Sequence, residues 1–249
     1  MPAQVLWRVI DLGLTPYAKV HDLQKSLALE LQTEPAGSIS NTLLLVEHPP
    51  VVTLGRHGGA ENLLVSAEFL NSRGVELVQT ERGGNITCHF PGQLVAYPIA
   101  RLLPRKARED LAGEDAAAAP EGRAPAGVKE FFNDLELIII RLLARFGLNG
   151  EQAPGRSGVW LGDRKICAMG IAVKRWVTYH GLAFNVYDDL SLFELITPCG
   201  LPDATVTSLH RELGSDAVGM DAVKMAFLEE FQDYYGLPEL KRVACPEEF

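Results

Sequence analysis

The run from Arg82 to Pro98, Arg-Gly-Gly-Asn-Ile-Thr-Cys-His-Phe-Pro-Gly-Gln-Leu-Val-Ala-Tyr-Pro, restricts the fold more than any other part of the chain. It holds three glycines, two prolines, an arginine and a histidine in 17 residues. Gly83-Gly84 admits backbone angles that a side chain forbids, so the chain can turn sharply there or approach a ligand closely. Ile86, Cys88 and Phe90 then alternate with Thr87 and His89, the period of a strand with one apolar and one polar face. Pro91-Gly92 breaks the run and Leu94-Val95-Ala96-Tyr97 resumes it. A hairpin with a tight turn accounts for these residues, and so does a site in which a polar strand face meets bare backbone amides. The turn residues favour the hairpin, and Arg82 and His89 by themselves shift that balance only a little towards the site.

Around this run the sequence predicts short strands and amphipathic helices. A strand over 5–10 leads to a helix from about Pro16 to Gln32, with Thr15 as its cap and Val20, Leu23, Leu27 and Leu31 on one face. Strands follow over 42–46, 51–54 and 75–80, with a short helix capped by Ser66 between the last two. Helices over 128–146 (Phe131, Leu135, Ile138, Leu142, Phe146) and 221–235 (Val223, Phe227, Phe231, Tyr234) carry stripes at 3.6-residue spacing. Gly162-Asp163 reads as a two-residue hairpin loop, and 177–186 as a further strand. With 249 residues this makes one α+β domain. Its sheet is mixed and mostly antiparallel, because strands arrive in hairpin-like runs with few βαβ alternations. Residues 104–126 hold almost no large apolar side chain and read as a mobile loop. The loop opens on a basic cluster, Arg101, Arg105, Lys106 and Arg108, which suits either a solvated face or the docking of an acidic partner.

Composition narrows the function classes. A net charge of −9 argues against general nucleic-acid binding. No apolar run approaches the ~18 residues of a membrane span. The first residues lack a charged leader with an apolar core, so a cytoplasmic protein is expected. Cys88, Cys167, Cys199 and Cys245 form no C-x-x-C pair and read as thiols. The six histidines show no spacing that suggests zinc. P-loop, dinucleotide-binding and G-x-S-x-G patterns are missing.

Thr197-Pro198-Cys199-Gly200 remains as a chemical candidate. A cysteine between proline and glycine sits on a turn and is reachable. A thiol with the ordinary pKa of about 8.5 needs a neighbouring cation to become thiolate at neutral pH. Lys165, beside the apolar run from Ile166 to Val173, is a candidate supplier. A buried small cysteine and an edge lysine satisfy the same two positions, and spacing does not show that they meet.

Three stretches together resemble the lipoyl(octanoyl) transferase family over nearly the whole length. They are Arg82-Gly-Gly with Thr87, His89 and Pro91-Gly92-Gln93-Leu94; Lys165-Ile166 with Ala168-Met169-Gly170; and Thr197-Pro198-Cys199-Gly200. The resemblance implies the fold of the biotin and lipoate protein ligases. It implies that Cys199 is an acyl-thioester nucleophile with Lys165 as its partner. Substrate would be contacted by Arg82, Gly83, Gly84, Asn85, Ile86, Thr87, Cys88 and His89, by Ala168, Met169 and Gly170, and by Gly181, Leu182 and Ala183. It further implies octanoyl-acyl carrier protein as donor and a lysine of lipoyl domains as acceptor, in 2-oxoacid dehydrogenase complexes and the glycine cleavage H protein. No cofactor, metal, nucleic acid or membrane would take part, and the protein would act as a monomer. The chain departs from the family pattern at Cys88, Phe90 and Cys167, and in the length of 104–126. Other classes compete: an ATP-dependent lipoate or biotin ligase, which would not need Cys199, and a non-catalytic module that binds lipoyl domains.

Overall fold

The computed structural model describes residues 7–33, 40–102, 127–198 and 205–244. In chain order the strands are β1 (Trp7–Leu14), β2 (Asn41–Glu47), β3 (Val51–Leu54), β4 (Glu76–Gln79), β5 (Ile86–His89), β6 (Gln93–Ile99), β7 (Glu151–Ala153), β8 (Arg156–Leu161), β9 (Arg164–Lys174), β10 (Val177–Asn185), β11 (Thr205–Val206) and β12 (Lys241–Arg242). The helices are α1 (Tyr17–Thr33), α2 (Ala67–Ser72), α3 (Val128–Arg145), α4 (Leu209–Leu213) and α5 (Met220–Tyr235).

Side-chain alternation on the central strands decides the layering. Along β2, Leu43 and Leu45 enter one core while Leu44 and Val46 enter another. On β6, Leu94 and Ala96 part from Val95, Tyr97 and Ile99 in the same way. A sheet buried on both faces needs helices on both sides. On one face lie α3, through Phe131, Leu135, Ile138 and Leu142, and α5, through Val223, Phe227 and Phe231. On the other lies α1, through Val20, Leu27 and Leu31. Each such side chain stabilises the fold by about 1.5–3 kcal/mol through removal from water. At the end of α5 it is Tyr235 that is buried, while Tyr234 stays half-exposed and donates its hydroxyl to Asp134 at 2.7 Å. Among the described residues no helix is long and apolar enough to cross a membrane.

The large sheet runs β12-β1-β2-β6-β10-β9-β8-β7, with β11 added alongside β9. Among the described residues only β1–β12, β1–β2 and β9–β11 are parallel in this sheet, so it is mixed and mainly antiparallel. The fold is α+β. Gly162-Asp163 forms the two-residue loop between β8 and β9, with Leu161 opposite Arg164. A second, three-stranded sheet, β4-β3-β5, has a core of its own that includes Val52, Leu70, Ile86, Cys88, Phe90 and Phe193.

The Arg82–Pro98 run is not a hairpin. Strand β5 pairs with β3 in the small sheet, and β6 pairs with β2 and β10 in the large one. Pro91-Gly92 therefore carries the chain from one sheet to the other. The expected loop at 104–126 lies outside the described residues.

Candidate active site

The two sheets meet at a cavity of about 120 Å³. It is lined by three stretches far apart in sequence: Arg82 with Gly84–Thr87 and His89; Ala168–Gly170; and Gly181–Ala183. The last two are cross-strand neighbours. Ala168 faces Ala183, Met169 faces Leu182 and Gly170 faces Gly181 across the β9–β10 ladder. Close approach explains the small residues. A Cβ on Gly170 would lie 2.6 Å from the Gly83 carbonyl oxygen, and one on Gly181 would lie 2.1 Å from that of Ala96. A larger recess of about 540 Å³ between β1 and α5 holds the Lys224–Asp11 ion pair at 3.0 Å, but among the described residues no thiol or histidine lines it.

Two of the expected contact residues do not line the cavity. Cys88 is fully buried in the small-sheet core, on the apolar face of β5, because alternation sends Thr87 and His89 the other way. Gly83 gives its amide to the Ile171 carbonyl at 3.0 Å and so fastens the loop to β9. Arg82 anchors the same loop: Nε donates to Thr53 Oγ1 at 3.0 Å and Nη2 to the Thr53 carbonyl at 2.5 Å. Arg82 is buried in this position. Arg56, Lys174 and Arg175 are exposed. Arg101 donates to the Leu31 carbonyl at the end of α1, while Arg105, Lys106 and Arg108 lie outside the described residues.

Tyr17, Tyr97, Ser157 and His180 also line the cavity. Sequence reasoning passed over them because each lies in an ordinary helix or strand pattern. The ring of Tyr17 stacks on His89 at 5.9 Å. His48 gives Nδ1–H to the Thr15 carbonyl at 2.7 Å and accepts the Tyr97 hydroxyl at Nε2, 2.9 Å away. Burial pushes His48 down to about 4 and His89 down to about 3, with His48 and Arg82 also opposing charge on His89. Both imidazoles are neutral at physiological pH.

A buried chain of amides sets the tautomer of His89. The Thr207 carbonyl can only accept, and takes Asn185 Nδ2–H at 2.9 Å. Asn185 Oδ1 must then accept from Gln93 Nε2 at 2.9 Å, and Gln93 Oε1 accepts from His89 Nδ1 at 2.7 Å. The proton of His89 thus sits on Nδ1, which leaves a lone pair on Nε2 in a ring that lines the cavity. The same Thr207 gives its backbone amide to the Lys165 carbonyl at 2.9 Å.

Lys165 lies on β9 and is 4 % exposed. Its Nζ stands 4.7 Å from the centroid of the Trp160 ring, and the Arg156 guanidinium stands 5.2 Å from the same ring. A cation over an aromatic face is held by the ring quadrupole. Cys199 lies outside the described residues, as do Gly200 to Ala204. The chain on either side of them is fastened to the site. Thr197 donates to the Asn62 carbonyl at 2.8 Å, and Asn62 donates to Asn85 Oδ1 at 2.8 Å. On the far side, Val206 pairs in parallel with Lys165. Of the other thiols, Cys167 is fully buried on β9, and burial pushes its pKa well above the ordinary value.

Known proteins resemble this arrangement throughout. Residues 16–232 match the model of the lipoyl protein ligase A/B catalytic domain. A protein named octanoyltransferase from Nitratidesulfovibrio vulgaris is 51% identical over 222 residues, covering 89% of this chain and 91% of that one. The octanoyltransferase of Maridesulfovibrio salexigens is 47% identical over 222 residues, covering 89% and 93%. Two solved structures share the fold at low identity. The bipartite lipoate protein ligase of Thermoplasma acidophilum has a TM-score of 0.69 at 16% identity, covering 98% of this chain and 89% of that one. LipL1 of P. falciparum, in complex with lipoate, has a TM-score of 0.70 at 13% identity, covering 96% and 66%. By its length of match and its identity to these relatives, the chain belongs to the octanoyltransferase family, carries the lipoyl protein ligase A/B catalytic domain and is an acyltransferase.

Proposed function

We propose that the protein moves an octanoyl group from acyl carrier protein to a lysine of lipoyl domains, through a thioester on Cys199. The observation that carries the reading is a cavity with an apolar wall, contributed by Ile86, Ala168, Met169, Leu182 and Ala183, with buried Lys165 on one of its strands. Relatives of about half-identical sequence bear the octanoyltransferase name.

The Cys199 thiolate attacks the thioester carbonyl of the donor. The tetrahedral oxyanion needs backbone donors. Gly83 has given its amide to Ile171, which leaves the Gly84 and Gly200 amides as candidates. Collapse expels the carrier thiolate, which takes a proton from the Lys165 ammonium, and leaves the acyl group on sulfur and Lys165 neutral. The acceptor lysine amine then attacks the same carbonyl, Lys165 takes the proton released, and Cys199 leaves as thiolate with an amide formed. Thioester exchange is close to even in energy and amide formation is downhill, so the sequence of steps needs no ATP. Acceptors would include the lipoyl domains of 2-oxoacid dehydrogenase complexes and the glycine cleavage H protein. Exposed Arg56, Lys174 and Arg175 offer positive charge for the acidic carrier. Gly83 and Cys88 act in this scheme only by shaping the loop and strand that hold Gly84, Thr87 and His89.

Intact-protein mass spectrometry after mixing with octanoyl-carrier protein, without ATP, tests the scheme. Wild type is expected to gain one octanoyl mass and Cys199→Ser none. An adduct on both places the nucleophile elsewhere. No adduct on either, with modification of a lipoyl domain only when ATP and free lipoate are supplied, makes the protein a ligase.

A further inference from the structure

We propose that His21, Glu81 and His180 form a binding site for a borderline-soft divalent cation of the zinc class. One donor atom from each of the three lies within 4.8 Å of the others. His21 Nε2 is 3.0 Å from Glu81 Oε2, and His180 Nε2 is 4.0 Å from the same oxygen. Two imidazoles and a carboxylate are a donor set that such a cation takes, at metal–donor distances of about 2.0–2.2 Å.

A plain ion pair accounts for His21 and Glu81 but not for His180. That residue is 1 % exposed, and neither ring nitrogen has a hydrogen-bond partner. Buried polar atoms are normally paired, so an orphan imidazole calls for an explanation. The backbone of His180 also takes a φ of 60°, the left-handed region, in the middle of β10. The position is enforced: the His180 amide donates to Gln24 Oε1 at 2.7 Å, one turn along α1 from His21. Strained residues of this kind cluster at ligand-holding sites.

The electrostatics fit a cation arriving among neutral rings. Burial holds His180 well below its ordinary value, and burial followed by Lys25 lowers His21. Neither imidazole need lose a net proton; His21 only moves its proton from Nε2 to Nδ1. Glu81 supplies the negative charge and, with its side chain 46% exposed, the route in from solvent. Two cations lie close by. Lys25 stands 3.8 Å from Glu81 Oε1, leaving Oε2 to the imidazoles, and the Arg82 guanidinium is turned to Thr53. Three protein donors leave a fourth position for water or for a donor group in the cavity that His180 lines. Bound there, the cation would tie α1 and the Glu81 loop to the cavity wall.

The test is titration of the full-length, chelator-treated protein with Co²⁺, followed by displacement with Zn²⁺. We expect about one equivalent of Co²⁺, visible d–d absorption without a near-ultraviolet thiolate band, and Zn²⁺ outcompeting it. Glu81→Ala and His21→Ala should each weaken binding by more than about tenfold. Because His180→Ala also removes a strained residue, Glu81→Ala on the half-exposed side chain is the decisive variant. No Co²⁺ bound, a thiolate band, or affinity unchanged in both variants would overturn the site.

Discussion

At the scale of single residues, His48 and His89 are the most consequential buried groups. Each is neutral when folded, with values near 4 and 3, against about 6.5 in the unfolded chain. Between those values the unfolded state binds more protons, so stability rises with pH through that window. Their contribution is whole above about pH 6.5 and is lost as pH falls towards 4 and then 3. The slope reaches about 1.4 kcal/mol per pH unit for each histidine. Thermal melting at pH 7.5, 6, 5 and 4 should show a flat region and then a steep fall, and His89→Gln should flatten that fall. An unchanged melting temperature down to pH 4 would contradict the buried, neutral assignment. Residue identity alone did not reveal this. The alternation of Ile86, Thr87, Cys88 and His89 was legible and places Thr87 and His89 on the cavity side. The chain of amides from Thr207 to His89 was not, because bonded neighbours in it lie up to 92 residues apart. His21, Glu81 and His180 escaped for the same reason: ligand spacing in sequence detects local motifs, and these three meet only through the packing of α1 against the sheet.

At the scale of elements, the site depends on strands that approach more closely than side chains permit. Gly181 lets β10 lie against β6 where the Ala96 carbonyl and Pro98 Cδ would meet a Cβ at 2.1 and 2.8 Å. Both neighbours are held in the central ladder and cannot swing aside. Gly181→Ala should therefore cost about 1–3 kcal/mol in urea unfolding, the usual range for overpacking, and should reduce acyl transfer by narrowing the cavity. Gly219→Ser, at the start of α5 with φ at −76° and nothing within 4 Å, is the control and should leave stability and acyl transfer intact. Equal losses from the two would show that Gly181 has no packing role. The helices and the Gly162-Asp163 hairpin were readable from periodicity and turn residues. The partner of β5 was not. Pro91-Gly92 marks a turn but does not say whether the next strand returns beside the last or enters another sheet. That choice is made by β3 and β10, which lie elsewhere in the chain.

At the scale of the molecule, the two sheets raise the question of whether they unfold together. Cys88 sits in the small-sheet core and Cys167 in the large-sheet core, both fully buried. Native protein should label at neither thiol. Through a urea transition, peptide mapping of alkylated samples should show both becoming reactive at the same midpoint, as one cooperative domain requires. Earlier exposure of Cys88 would divide the chain into two units. The sheet interface argues for a single transition, since the Gly83–Ile171 hydrogen bond and the Arg82–Thr53 pair tie the loop to both sheets.

The Trp160 ring, with both Lys165 and Arg156 close to it, carries a further consequence. An indole's emission colour follows the electric field across its rings. Whenever Lys165 gives up or regains its positive charge, that field changes at a distance of less than one helical turn. If Lys165 takes the proton of the proposed second half-reaction, Trp160 is a built-in optical reporter of it, and emission should shift during turnover in the wild type but not in Trp160→Phe.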